Sequence, residues 1–234
     1  MPDTHCLTSP SYIKQILLCS KSLPRDPLEL EDTNPQALAG TIQHAYLCKQ
    51  LSDYFGFESE EVDISSLTSD EIEEVNEVFN KVIEAYKKLK KRYTRVEVKL
   101  ESKIDLNAYL PNPAWGYVDI AFIGHRASPN KDGIYDKSTI HVLDAKFGRL
   151  PVEVVEDGNP NPQLTSYWCG IYELYKDTYQ ITRGQLTILQ PKLHSYPTFV
   201  GKAKGKVLRI SAKFLFLSGF GDNLFNSSAV IPKR

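Results

Sequence analysis

The sequence predicts an α/β or α+β domain in which a mixed central β-sheet is flanked by α-helices. Apolar residues recur at helical spacing in the first ninety or so residues, and from residue 95 to about 147 they alternate as in strands. A further helical stretch and further strand-like stretches follow. Helices, a strand meander, and then a helix and strands in this order predict helices packed against one sheet.

Composition limits the number of domains and the class of protein. The 234 residues carry a formal net charge of -1 and 41% hydrophobic residues, which predicts a single compact domain over residues 1–234. No window reaches the roughly 18 consecutive apolar residues of a membrane span, and the N-terminus does not resemble a secretory signal. We therefore expect a soluble protein of the cytoplasm. Any nucleic-acid binding has to come from a local basic surface.

Three helices are predicted in the first part of the chain. Ser9 and Pro10 mark the start of a short helix over residues 10–19, and Asn34 and Pro35 repeat this device for a helix that ends near residue 53. Ser69 is a candidate cap for the third helix, over residues 69–93. Its apolar residues follow the three-and-four spacing of an amphipathic helix, and its first turn is acidic and its last basic.

Three strands follow, over residues 95–102, 116–123 and 138–147. Pro-Asn and Asp-Gly pairs between the second and the third predict a long hairpin loop. The rest of the chain is predicted to contain a short strand over 150–157, a helix over 162–176, a strand over 184–191, a mixed segment over 205–216 and a loose tail from 221.

Two acids and a lysine on the predicted strands are candidate metal-binding and catalytic residues. Asp144 and Lys146 are two apart in "HVLDAKFG" and therefore share a face, while Asp119 stands among apolar residues of the preceding strand. If these strands pair, Asp119 and Asp144 can share a divalent cation together with the backbone carbonyl of Ala145. Lys146 can then orient the attacking water and stabilise charge on a phosphate. A salt bridge between Asp144 and Lys146 at the sheet edge remains the alternative.

Further polar candidates lie on helices. Gln163 and Tyr167 are four apart in "NPQLTSY", so both can reach the strand ends from one face of the helix. Tyr167 can equally belong to the apolar stripe of that helix. His44 lies inside "GTIQH", where it is either a metal ligand or a histidine packed in the core.

The segments "GTIQH", "GYVDIAF", "HVLDAKFG" and "NPQLTSY", in this order, resemble the motif series of RecB-like nucleases of the PD-(D/E)xK superfamily. "LTSPSYIKQILLCSKSL", "VEVKLES" and "LTILQPK" narrow the resemblance to a phage- and prophage-associated branch. It covers residues 7–195, whereas residues 196–234 match poorly. The resemblance implies a restriction-endonuclease-like fold with one nuclease domain.

The resemblance also implies roles for individual residues. His44, Asp119 and Asp144 would hold Mg²⁺ or Mn²⁺, and Lys146 would be the catalytic lysine. Gln163 and Tyr167 would position the substrate strand, and Glu97 would be a second-metal ligand or would support the metal ligands. Residue 118 is Val, where the family has proline before the acid. Some relatives hold an iron–sulfur cluster through grouped cysteines, but Cys6, Cys19, Cys48 and Cys169 are scattered, so we expect no such cluster.

The expected function is a metal-dependent deoxyribonuclease, with an exonuclease favoured over an endonuclease, acting in phage-type recombination, repair or DNA processing. DNA is the expected partner, and a single-strand annealing protein is conceivable by family analogy. Lys99, Lys103, Arg149 and the segment 201–213 offer cations for the phosphate backbone. Two alternatives stay open: a non-catalytic nucleic-acid-binding module of a recombination or packaging complex, and a structural interaction protein.

Overall fold

The structure, a computed structural model, describes residues 35–109, 114–125, 134–204, 207–210 and 213–214, together with Ser9, Pro10 and Ile13. The helices are α1 (Pro35–Phe55), α2 (Ser69–Lys90) and α3 (Pro162–Tyr175), and a short 3₁₀-helix spans Pro191–Leu193. The strands are β1 (Arg95–Asp105), β2 (Trp115–His125), β3 (Tyr135–Ala145), β4 (Val155–Glu156), β5 (Asn159–Pro160), β6 (Tyr179–Leu189), β7 (Thr198–Lys204), β8 (Val207–Ile210) and β9 (Lys213–Phe214). Most of the helix predicted over residues 10–19, and the tail from residue 221, lie outside the described residues.

The strands form a mixed sheet in the order β1-β2-β3-β6-β7-β8-β9. Among the described strands only the β3–β6 pair is parallel, and α3 makes the crossover between these two strands. Because a crossover helix runs back along the sheet, α3 begins at the edge where β3 ends. The predicted α/β class with a mixed central sheet flanked by helices is confirmed, in agreement with the restriction-endonuclease-like arrangement.

Helices cover both faces of the sheet. On one face, α1 and α2 pack Leu47, Leu51 and the apolar stripe of α2 against Phe122 and Leu143. On the other face, Trp168 of α3 lies in a second core. No helix in the described part of the chain is long and apolar enough to cross a membrane.

Several predicted boundaries change in the structure. Helix α2 is capped by Thr68 and not by Ser69, because Thr68 and Glu71 form a reciprocal capping box. The strand predicted over residues 150–157 shrinks to the two-residue strand β4, which pairs only with β5. Strand β7 was not predicted, and it pairs antiparallel with β6.

Strands β1 and β2 turn over halfway along their length. In β1, Val98 and Leu100 pack on the α1–α2 face, but Ile104 packs on the α3 face. A regular strand would keep these even-numbered residues on one side. The change occurs at Glu101, whose φ is 40°, in the left-handed region. Its cross-strand neighbour Asp119 lies at the matching point of β2, because Leu100 pairs with Ile120 and Ser102 with Val118.

Helix α3 approaches β1 closely at Gly170. A Cβ atom there would lie 2.6 Å from Cδ1 and 2.7 Å from Cβ of the buried Ile104. We therefore expect Gly170→Ala to destabilise the protein by about 1–3 kcal/mol, although alanine favours helix. Gly40→Ala in α1 is the matched control, since no atom lies within 4 Å of its Cβ position, and it should be neutral or stabilising by up to about 1 kcal/mol. Urea unfolding of both variants measures the difference, and equal stabilities would contradict the close packing.

Candidate metal centre

His44 is held over β2 by the way α1 docks. The neighbouring Gln43 is fully buried and donates from Nε2 to the Glu71 carbonyl (3.0 Å) and to Glu74 Oε2 (2.8 Å), which fixes α1 against α2. The His44 ring makes an edge-on contact with Phe147, with centroids 5.1 Å apart. Its Nδ1 atom lies 3.7 Å from Asp119 Oδ2. The imidazole is thus fixed between an aromatic ring and a carboxylate.

His44, Glu101 and Asp119 form a group that can hold a metal ion. One ligand atom from each lies within 4.8 Å of the others. The cavity between them is about 10 Å³, close to the room that one water molecule needs. In an octahedral Mg²⁺ site, opposite ligand atoms are about 4.2 Å apart, so the group needs only a small contraction around the ion. The two carboxylates suit Mg²⁺ or Mn²⁺, and the imidazole can complete the set of ligands.

The carboxylates of this region repel one another. Burial, and then the charges of Asp119 and Asp144, raise the pKa of Glu101. Solvent reaches part of the Glu101 side chain and screens this repulsion, so the rise is smaller than it would be for an enclosed carboxyl. Burial raises the pKa of Asp144 to about 6, with Asp119 adding to the rise and Lys146 opposing it. A bound cation would relieve this repulsion, so the residues present fit a metal ion.

Asp144 and Lys146 form an ion pair beside the group. The Lys146 ammonium lies 3.1 Å from Asp144 Oδ1 and 2.9 Å from Oδ2. The Asp144 side chain is only 1% exposed. Burial by itself would lower the pKa of Lys146, but the Asp144 and Asp119 carboxylates outweigh it and the pKa is raised. The two side chains are therefore in contact, as their shared strand face predicts, with the carboxylate buried and the lysine partly exposed.

Pairing of β2 with β3 brings the two predicted acids together. Ile120 lies opposite Leu143, which puts Asp119 next to Asp144 in the antiparallel register. The Ala145 amide donates to Asp119 Oδ2 at 3.0 Å. Ala145 therefore contributes its N–H group to holding one of the carboxylates, which is a contact that the sequence did not predict.

The predicted substrate-binding residues lie on the α3 side and beyond β3. Asn161 caps α3 by accepting from the backbone amides of Gln163 and Leu164, and Gln163 Nε2 donates to the Tyr167 hydroxyl at 3.0 Å. Tyr167 is buried in the α3-side core, and Gln163 lies in the first turn of α3, at the edge where β3 ends. Arg149 is exposed in the segment after β3.

Glu97 lies away from the group of His44, Glu101 and Asp119. Its Oε2 atom accepts from the Tyr175 hydroxyl at 3.0 Å, and its Oε1 atom accepts from the Tyr179 hydroxyl and lies 3.3 Å from His125 Nε2. The His125 and Tyr179 rings are stacked, with centroids 4.7 Å apart. The structure thus places Glu97 among polar and aromatic side chains at the end of α3.

We expect Glu97→Gln to destabilise the fold by about 1–3 kcal/mol, because hydrogen bonds to a charged acceptor are replaced by weaker ones. Cation affinity should stay unchanged. Glu101→Gln is the matched variant from the same strand, and it should show the opposite pattern: loss of cation affinity without loss of stability in chelator. Thermal unfolding with and without Mn²⁺ measures both. Weakened Mn²⁺ binding in Glu97→Gln would contradict this division of roles.

Glu101 is the member of the group that the sequence prediction missed. In a regular strand it would share a face with Glu97, and nothing in the residue type reveals its positive φ. Ser102 is a weak indication in the sequence that β1 changes face. It is polar, although it falls at an even position between the apolar Leu100 and Ile104, which lie on different faces. Cys48, one helical turn after His44, lines the same cavity, and burial followed by the Glu101 charge raises the pKa of its thiol.

Comparison with known proteins gives one family. A sequence model of the family described as "Protein of unknown function (DUF2800)" matches residues 5–212, so the chain belongs to this family. No curated protein and no solved structure matches the chain.

Proposed function

We propose that this member of the DUF2800 family is a Mg²⁺- or Mn²⁺-dependent deoxyribonuclease that hydrolyses phosphodiester bonds. The observation that supports it best is the convergence of His44, Glu101 and Asp119 around a cavity of about 10 Å³, with Asp144 and Lys146 beside them. These side chains come from α1, three successive strands and the segment that follows. An ion pair with a purely structural role has no need for the imidazole and the two further acids.

The proposed roles follow from the contacts. His44, Glu101 and Asp119 would hold the ion, which supplies a Lewis acid for the phosphate and a more acidic bound water. Asp144 fixes Lys146 at 2.9 Å, so that the ammonium is presented at one point of the site. From there it hydrogen-bonds the attacking water and stabilises negative charge on the phosphate. The Ala145 amide keeps the Asp119 carboxylate in place.

Helix α3 carries the two residues that we assign to the DNA strand. Its first turn lies at the edge where β3 ends, and Asn161 fixes this turn by accepting from the Gln163 and Leu164 amides. Gln163 lies in this turn, tied to Tyr167. We assign this pair to positioning the DNA strand, and Arg149 in the exposed segment after β3 to contacting its backbone.

The finer parts of the proposal depend on the resemblance to RecB-like nucleases of the PD-(D/E)xK superfamily, in the phage- and prophage-associated branch. They are an exonuclease activity, a role in recombination, repair or DNA processing, action in the cytoplasm of a bacterial cell, and a single-strand annealing protein as partner.

The test uses end-labelled linear DNA and closed circular DNA of the same sequence, incubated with Mg²⁺, Mn²⁺ or chelator. We expect the linear DNA to be degraded with either metal and to survive in chelator. Persistence of the circles indicates an exonuclease, whereas nicking indicates an endonuclease. DNA binding without any metal-dependent product would reject the nuclease and favour the non-catalytic binding module.

A further inference from the structure

A basic groove lies on the α2 side of the sheet, between α2 and strands β3, β6 and β7. Two adjoining cavities of about 530 and 780 Å³ form it, and both are lined by Arg92, Arg183 and Val200. The basic residues that line them are Lys81, Lys88, Arg92, Lys137, Arg183 and Lys202. Glu84 is the one acidic residue among the described lining residues, and it is already paired with Lys88 at 2.7 Å.

Most of this charge is uncompensated. Within the described ranges, Arg92, Lys137, Arg183 and Lys202 form no ion pair. Arg183 and Lys202 are directly opposite each other on the antiparallel strands β6 and β7. Like charges at opposite positions of a sheet destabilise it. A polyanion in the groove would turn this repulsion into attraction.

The backbone conformation at Lys137 is unusual, and its side chain lines the groove. Lys137 has a φ of 54°, a left-handed conformation that is costly for a residue with a side chain. It lies in a register irregularity of the β3–β6 pair, between Tyr135 and Ser138. Such irregularities re-aim side chains, and Lys137 lines the larger of the two cavities.

The floor of the groove contains a buried polar atom without a partner. His141 is 5% exposed and lines the smaller cavity, and its Nε2 atom lies 2.8 Å from the Thr187 hydroxyl. Its Nδ1 atom is buried and has no hydrogen-bond partner among the described residues. Burial lowers the pKa of His141 to about 3, so the ring is neutral and the positive charge of the groove comes from its lysines and arginines.

We propose that the basic groove binds the sugar-phosphate backbone of a nucleic acid, at a place separate from the group of His44, Glu101 and Asp119. The inference deepens the proposed function, because it assigns the path of the DNA segment that extends beyond the cleaved bond. A groove lined by cations that form no ion pair with other described residues suits a backbone that carries a charge on every nucleotide. Contacts of this kind do not depend on the base sequence.

The test measures binding of a labelled DNA oligonucleotide in chelator over a range of salt concentrations. The triple variant Lys137→Gln/Arg183→Gln/Lys202→Gln should bind at least about tenfold more weakly at low salt, and its slope of log affinity against log salt should fall by about one unit for each cation. Lys87→Gln/Lys90→Gln/Lys91→Gln is the matched control, since these exposed lysines end α2 but line neither cavity. The control should bind like the wild type.

Equal affinity and equal slope in the wild type and the groove triple variant would overturn the inference. Competition by polyglutamate as effective as that by DNA of equal charge would also overturn it, in favour of an acidic protein. Because binding is measured in chelator, the outcome is separate from cleavage. If the groove binds DNA but the protein cleaves none, this inference stands and the nuclease proposal is rejected. If the protein cleaves DNA but the triple variant binds like the wild type, the nuclease proposal stands and this inference is rejected.

Discussion

Asp119→Asn is expected to abolish metal-dependent DNA cleavage and to stabilise the metal-free protein. Asparagine has nearly the shape of aspartate, and its carbonyl can still accept the hydrogen bond that the Ala145 amide donates at 3.0 Å. The substitution removes one charge from a region in which burial and the neighbouring carboxylates raise the pKa of Glu101 and of Asp144. The fold therefore gains stability while the site loses a ligand, and cleavage should fall by about a thousandfold or more.

Two measurements on the same preparation check this prediction. The initial rate of release of labelled nucleotides gives the loss of cleavage, and thermal unfolding with Mn²⁺ or chelator gives the stability. Mn²⁺ should raise the melting temperature of the wild type, because an ion that binds the folded state stabilises it. It should not raise the melting temperature of Asp119→Asn, because that variant lacks a ligand for the ion. Glu60→Gln, an exposed carboxyl elsewhere, is the control and should behave like the wild type. Full cleavage by Asp119→Asn would remove Asp119 from the metal centre.

Lys146→Met is expected to cost both activity and stability. The substitution keeps an unbranched side chain one atom shorter than lysine but leaves Asp144, which is 1% exposed, without its cation. Removing one partner of a buried ion pair costs about 3–5 kcal/mol, and the partial exposure of Lys146 puts this case near the lower end. The double variant Lys146→Met/Asp144→Asn should recover most of this stability, since no unpaired charge remains, but no cleavage.

The pH dependence of unfolding tests whether the unpaired Asp144 carboxylate causes the loss of stability in Lys146→Met. In the wild type the pKa of Asp144 is raised to about 6, and without Lys146, which opposes the rise, it will be higher. A carboxyl with a raised pKa in the folded state costs stability as the pH rises through the interval between its unfolded and folded values. The deficit of Lys146→Met should therefore shrink as the pH falls from above the variant's Asp144 pKa to about 6, and it should stay constant below that, in urea unfolding with chelator. A deficit that is constant from pH 4.5 to pH 8 would contradict the role of the unpaired carboxylate.

Patterns with local causes were predicted well from the sequence. The amphipathic spacing of α2 and the alternation in β1, β2 and β3 locate these elements, because each depends on which face of one element is buried. The contact of Asp144 with Lys146 follows from strand geometry in the same way. Pairing of the strands that carry Asp119 and Asp144 needed only the hairpin signals between them.

Features that depend on distant contacts were not predicted. Glu97 and Glu101 are four residues apart and would share a face of a regular β1. They lie on different faces because Glu101 has a positive φ, and Glu97 is bound by two tyrosines. Strand β7 has few apolar residues and forms because it pairs with β6. The basic groove combines residues from α2 and from three strands, and no segment of the sequence contains it.

The reversal of face in β1 and β2 at Glu101 and Asp119 makes the candidate metal centre depend on strand register. The two acids meet because they are directly opposite each other where both strands change face. A slip of β1 by one residue against β2 would send the side chains at that point to opposite faces of the sheet. A misregistered molecule would then have the composition of the native protein but no place for the proposed ion, so the proposed activity would be confined to correctly folded chains.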